Sequence, residues 1–196
     1  MSIHRLPLPG VLVSLALIAW AASSYPGGYD WTNDFISTLF APSTATGVAN
    51  EARFLAVAAM FVLCVSVAVL FVVLSRRAGR RLHRKTLEIG GIGSMVYAFL
   101  TVTPMHDLLV SIALPFFVAA MSAAIHLLYV ERRFALCWAG LICLGLLLAS
   151  AAMYYGHMLW NLLPLAQKVS FVACVSWLLI AQVAMEDRAG DEKGLA

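Results

Sequence analysis

Apolar residues in this chain fall in long continuous runs, without the alternation of a half-buried strand, and polar residues collect between the runs. A helix crossing about 30 Å of hydrocarbon needs roughly 20 such residues. Six runs approach that length, at 8–24, 52–74, 86–102, 108–129, 134–155 and 165–185, and they are supplied with the good helix formers Leu, Ala and Met. The pattern predicts an all-α fold: an integral membrane bundle of six transmembrane helices forming one domain over residues 1–196. No internal repeat, low-complexity segment or linker divides it.

After the first run, Tyr25-Pro26-Gly27-Gly28 breaks the chain, and residues 30–40 resume a helical period. At about 100° per residue, Asp30, Asn33, Asp34 and Ser37 share one side while Trp31, Phe35, Ile36, Leu39 and Phe40 share the other. This predicts a short interfacial helix in the first outer loop, with its aromatic side in the headgroup boundary and its carboxylates toward water or the bundle.

Composition and charge add the environment and the orientation. The chain is 62% hydrophobic and 12% charged, where a soluble domain keeps about 25% charged residues. Its net charge is only +3, and its bases cluster beside the apolar runs, which argues against a nucleic-acid partner. Arg5, Arg76, Arg77, Arg80, Arg81, Arg84, Lys85, Arg132, Arg133, Arg188 and Lys193 fall on the side of the termini, and only Arg53 and Lys168 on the other, eleven bases against two. By the positive-inside rule both termini are cytoplasmic, in a multi-pass protein of the cytoplasmic (inner) membrane. The first run, ending Ala21-Ala22-Ser23-Ser24, also has the form of a signal peptide with a small-residue cleavage site. Retention is the preferred reading, because Trp20 occupies the cleavage region. Cys64, Cys137, Cys143 and Cys174 all lie within apolar runs with no C-x-x-C spacing, and they read as small core residues.

The outer connections carry the unusual residues. Thr103-Pro104-Met105-His106-Asp107 joins the third and fourth runs, and the stretch from Tyr154 through His157 and Trp160 leads by Pro164 to Gln167 and Lys168. Asp107 suits a helix N-terminus, and Tyr154, Tyr155 and Trp160 suit an interface belt. His106, His157, Asp30, Asp34 and Asp107 nevertheless come from three connections to one membrane depth. Such a set is compatible with a zinc site using His106, His157 and Asp34, although no H-E-x-x-H spacing supports it. A haem between the two histidines and a triad of Ser37, a histidine and Asp34 are further arrangements of the same residues, without a supporting signature. His126 is expected as a neutral core histidine bonded to a neighbouring helix near the inner boundary, with a proton relay as the alternative, and Glu88 as a partner of Lys85 or Arg84 or snorkelling to water. Gly90, Gly91, Gly93, Ser94, Gly140, Gly145, Ser150 and Ala151 are expected to let helices approach closely. No run holds an ionised residue near its midpoint, which weighs against an ion-coupled transporter.

Pro26-Gly-Gly-Tyr29, Asp34-Phe-Ile-Ser37-Thr-Leu39, and Pro104-Met-His106-Asp107 followed by Ser111 and Phe116-Phe117 resemble the six-span prokaryotic membrane proteins of unknown function related to the DRAM and FGF-receptor-activating-protein family. The resemblance implies a six-helix bundle with polar residues clustered at the outer surface, and its eukaryotic relatives are linked to lipid handling, including remodelling of lipid anchors. By match of position, Ser37 and His106 carry over. The chain departs from the pattern in having Gln167 where an acidic residue is expected near the start of the sixth span.

The expectation is therefore an outward-facing pocket of Asp30, Asp34, Ser37, His106, Asp107 and His157 that binds or handles a lipid-like amphiphile, with membrane lipids as partners. A second class uses the same residues as an intramembrane lipid hydrolase or acyl transferase, with Ser37, His106, Asp107 and His157 as catalytic candidates and zinc as a cofactor. A third is a bundle without a pocket that serves as a structural or regulatory partner.

Overall fold

The computed structural model describes residues 7–194, with side chains through Glu186. Arg5, Arg188 and Lys193 from the count of bases lie outside the described side chains. Six α-helices follow in order: α1 Pro7–Ser23, α2 Arg53–Ser75, α3 Arg81–Leu100, α4 His106–Val130, α5 Phe134–Tyr155 and α6 Leu163–Gly194. The fold is all-helical, and α2, α4, α5 and α6 are each long and apolar enough to cross a membrane. α1 has 17 residues, about 25 Å at 1.5 Å per residue. α3 begins inside the basic segment, so that Arg81, Arg84, Lys85 and Glu88 occupy its first turns and only residues 89–100 form an uncharged stretch.

Neighbouring helices run antiparallel. Ser14 Oγ of α1 donates to the Ala59 carbonyl of α2 at 2.8 Å, while Gly10 lies against Ser66 further along. Phe61 of α2 meets Phe99 of α3, His83 at the start of α3 meets His126 near the end of α4, and Arg133 before α5 donates to the Ala184 carbonyl of α6. One end of the bundle thus gathers Arg76, Arg77, Arg80, Arg81, Arg84, Lys85, Arg132 and Arg133, and the other gathers residues 24–52, 101–105 and 156–162.

The central helix is α2, which packs against α1, α3 and α6. Its Leu63, Val67, Leu70, Phe71 and Leu74 join Met121 and Leu128 of α4 and Trp177 and Leu178 of α6 in the main core. Close approach depends on small residues at defined points. A methyl group on Gly91 would lie 2.3 Å from Phe71, and one on Gly140 would lie 2.5 Å from Trp177. Gly145 meets no neighbouring atom, so its expected packing role is not realised. Ser150 of α5 and Ser170 of α6 share a buried hydrogen bond of 2.8 Å, which satisfies two hydroxyls that would be costly alone in an apolar core. All four cysteines are buried and free. Large apolar side chains cover the outside, including Trp138 at 68% exposure, Phe54 at 66% and Ile142 at 64%, a surface suited to lipid contact rather than water.

The interfacial helix expected over residues 30–40 is replaced by a turn and a short 3₁₀ helix, Ile36–Phe40. The Asp30 carboxylate accepts from the Thr32 amide and hydroxyl, the Asn33 amide and the Asn33 side chain, and Asp34 Oδ2 accepts from the Asp30 amide at 2.9 Å. These local bonds give the backbone an alternative to the helical ladder, the usual behaviour of Asp, Asn and Thr. Leu39, fully buried, then anchors the segment among Ile18, Ala21, Ala22, Ala56 and Ala59 of α1 and α2. Buried Asn50 secures the return strand by donating to the carbonyls of Leu39 and Ala41.

Two further expectations change at the basic end. His126 is exposed on α4 with its ring 4.8 Å from that of His83, not bonded in the core. Glu88 accepts from Ser75 Oγ at 2.8 Å rather than pairing with Lys85 or Arg84. In both cases the antiparallel register of α3 brings a partner that sequence proximity does not reveal.

Candidate functional site

At the end opposite the basic cluster the first and third connections meet at Trp160, and the start of α4 joins them through Asp107 and Tyr154. The Trp160 indole stacks on Tyr154 at a centroid distance of 6.0 Å and on His157 at 5.8 Å, and Phe35 of the first connection packs edge-on at 6.0 Å. Tyr154, near the end of α5, donates its hydroxyl to Asp107 Oδ1 at 2.5 Å. His106 Nδ1 lies 3.1 Å from the same oxygen, so the Nδ1–H tautomer donates to it. Ser111, one turn further along α4, donates to the Asp107 carbonyl and contacts the Tyr155 hydroxyl at 2.8 Å. Asp107 therefore ties α4 to α5 from its expected place in the first turn of α4, whose N-cap residue, Met105, makes no side-chain cap bond.

A second set of bonds holds the first connection against α6. Lys168 Nζ donates to the Asp34 carbonyl, the Tyr29 hydroxyl donates to the same oxygen at 3.1 Å, and the ammonium sits 5.5 Å over the Tyr29 ring. Burial, with Asp34 and then Asp30 nearby, pushes the Tyr29 phenol well above its ordinary range, which keeps it a neutral donor. Asp30 behaves oppositely. Hydrogen bonds from the side chains of Thr32 and Asn33 and the Thr32 amide hold its carboxyl well below the usual carboxylate range.

His157 owes its place to the backbone. Its φ is 51°, and the amides of His157 and Met158 bond back to Tyr154 and Met153 at the end of α5, the pattern that closes a helix through one left-handed residue. The turn aims the chain so that Trp160 returns over Tyr154. Glycine or asparagine is the usual occupant of such a position.

Of the candidates, Asp30 and Asp34 meet in one turn, while His106 and Asp107 meet beside Tyr154. His157 is linked to them only through Trp160. Among the described residues no three His, Cys, Asp or Glu side chains converge as metal ligands, so the set His106, His157 and Asp34 is not assembled as a zinc centre. The contacts that link the two histidines run through Asp107, Tyr154 and Trp160. Ser37 lies in the 3₁₀ helix and makes no hydrogen bond to either histidine, so the triad arrangement is not formed either. The residues that join the loops, Trp160, Tyr154 and Lys168, read from sequence as interface-belt aromatics and a stray base. Their signal was position alone, since all three stand at helix ends on one side of the bundle.

The site is a shelf, with Asp107, His157 and Trp160 all exposed. A cavity of about 400 Å³ at this end is lined by Ser24, Pro26, Ala49, Glu51, Ala52 and Leu55, beside the candidate residues and not among them. No family model matches the chain, and no curated protein or solved structure matches it.

Proposed function

We propose that the chain is a six-span protein of the cytoplasmic membrane, with both termini inside, whose outer end holds a lipid-like amphiphile on the shelf around Trp160. In this reading α1 and α3 cross the bilayer with α2, α4, α5 and α6, and the protein is a distant relative of the DRAM and FGF-receptor-activating-protein family. The gathering of bases at one end supports the orientation. The meeting of the first and third connections on one exposed indole, with the start of α4 tied to it through Asp107 and Tyr154, carries the function. An indole flanked by Tyr154 and His157 offers an apolar face with polar edges, the combination that suits a molecule with a tail and a headgroup. Lys168 and Asp107 supply charge of both signs at the rim.

The test is photolabelling of the purified chain with a diazirine-bearing lysophosphatidylcholine. Adducts should concentrate on the peptides covering residues 29–40 and 154–161, and Trp160→Ala should reduce them several-fold while labelling elsewhere persists. Adducts spread evenly over the apolar surface, unchanged by Trp160→Ala, would refute the shelf as a binding site.

A further inference from the structure

A second feature lies at the opposite end of the bundle. Between α4 and α5 runs a cleft of about 470 Å³. Ser122, Ile125, His126 and Tyr129 form its α4 wall, at steps of three and four residues along one helix face, and Phe134, Cys137, Trp138, Leu141 and Leu144 form the α5 wall in the same manner. The stretch from Phe134 to Leu144 is about 15 Å long at 1.5 Å per residue, half of the roughly 30 Å hydrocarbon thickness of a bilayer. The cleft therefore matches one leaflet in depth. It opens outward, since Trp138 and Tyr129 on its rim are strongly exposed, and its lining is apolar apart from Ser122 and, toward the end of α4, His126 and Tyr129.

That end carries an unpaired cation. Arg132 follows the last turn of α4, between the wall residues Tyr129 and Phe134, whose rings meet edge-on at 5.7 Å. Its guanidinium is exposed and, among the described residues, takes no carboxylate partner. Arg133, by contrast, is spent on the Ala184 carbonyl of α6. Arg132 also has φ 58° and closes α4 through the same left-handed turn that His157 makes for α5, its own amide bonding to Tyr129 and that of Arg133 to Leu128. The turn itself would be better served by glycine or asparagine, so the backbone gives no reason for a guanidinium here.

We infer that the cleft between α4 and α5 is a site for one acyl chain of an anionic phospholipid, with Arg132 engaging its phosphodiester. The occupant follows from the chemistry of the slot and of the turn beside it: an apolar slot one leaflet deep calls for a hydrocarbon chain, and an exposed guanidinium in the turn that joins its two walls calls for a phosphate, to which its fork of donors is fitted. His126 and Tyr129 add hydrogen-bonding groups at the ester level. The site depends on the bundle lying in a bilayer, as in the proposed function, but not on which end faces the cytoplasm.

Trp138 on the cleft wall provides the readout. The full chain is reconstituted into phosphatidylcholine vesicles containing, in parallel, equal small fractions of acyl-brominated phosphatidylglycerol or acyl-brominated phosphatidylcholine in both leaflets. The Trp138 signal is the difference between the chain and Trp138→Phe. Apparent association at Trp138 should be about five-fold stronger for the brominated phosphatidylglycerol. Arg132→Asn, which keeps the left-handed turn, should abolish the preference, and Arg132→Lys should restore part of it. Equal quenching by the two lipids would mean ordinary boundary lipid and overturn the site, as would a preference untouched by Arg132→Asn. Because both leaflets carry the quencher, an inverted topology would leave this result unchanged, and failure at the Trp160 shelf would not alter it.

Discussion

Asp30 illustrates how a single side chain decides local structure against the pattern around it. Sequence periodicity places it on the polar side of a helix, which is correct for its exposure, but periodicity does not weigh how many donors one carboxylate can collect. With Thr32 and Asn33 following, it collects four, and the turn wins over the helix. Those donors favour the ionised form, so the folded state binds the proton more weakly than the unfolded chain. The contribution of Asp30 is then complete above its unfolded value near 4 and is lost only as the pH falls through its lower folded value. Amide exchange protection at Thr32 and Asn33 should accordingly persist from pH 7 to below about 4 and fail only as the carboxylate protonates at still lower pH, whereas Asp30→Ala should remove it at pH 7. Loss of protection already between pH 6 and 5 would contradict this. The histidines were legible in sequence as residues of one end, and their separation was not, because Trp160 and Tyr154 have the same sequence appearance whether they float in an interface or join α4 and α5 to the first connection.

Helix positions were legible almost to the residue for α2 and α5, where uncharged runs begin and end at bases, aromatics or glycine. α3 was less so, since its basic first turns extend the helix into a segment read as loop, and α6 continues to Gly194 past the expected end at 185. Small residues were a weaker guide to helix contacts than their number suggests. Gly91 and Gly145 both stand within helices, yet one packs directly against Phe71 and the other faces no atom. Gly91→Ala should destabilise the bundle by about 1–3 kcal/mol through overpacking. Gly145→Ala should leave it unchanged or stabilise it by roughly 0.5–1 kcal/mol, because alanine restricts the unfolded chain and favours helix. Unfolding of the two variants in detergent micelles, monitored by circular dichroism, checks the pair, and similar losses from both would show that α3 does not meet α2 through Gly91.

For the whole molecule, the antiparallel order of six helices creates two chemically different ends. One carries the guanidinium groups of two short connections and a cleft that opens sideways, and the other carries aromatic rings, carboxylates and a long loop secured by Leu39 and Asn50. Membrane orientation assigns each of the two proposed sites its leaflet, and the sides on which the connections lie decide whether the basic-headed α3 crosses the bilayer. The direct measurement is labelling of intact cells with a membrane-impermeant maleimide, using single cysteines placed at Thr46, Gly79 and Asn161 in a background where the four buried cysteines are replaced by alanine or serine. Thr46→Cys and Asn161→Cys should label on intact cells and Gly79→Cys only after lysis. Labelling of Gly79→Cys from outside would contradict the orientation, and Thr46→Cys and Asn161→Cys on opposite sides would contradict the crossing of α3.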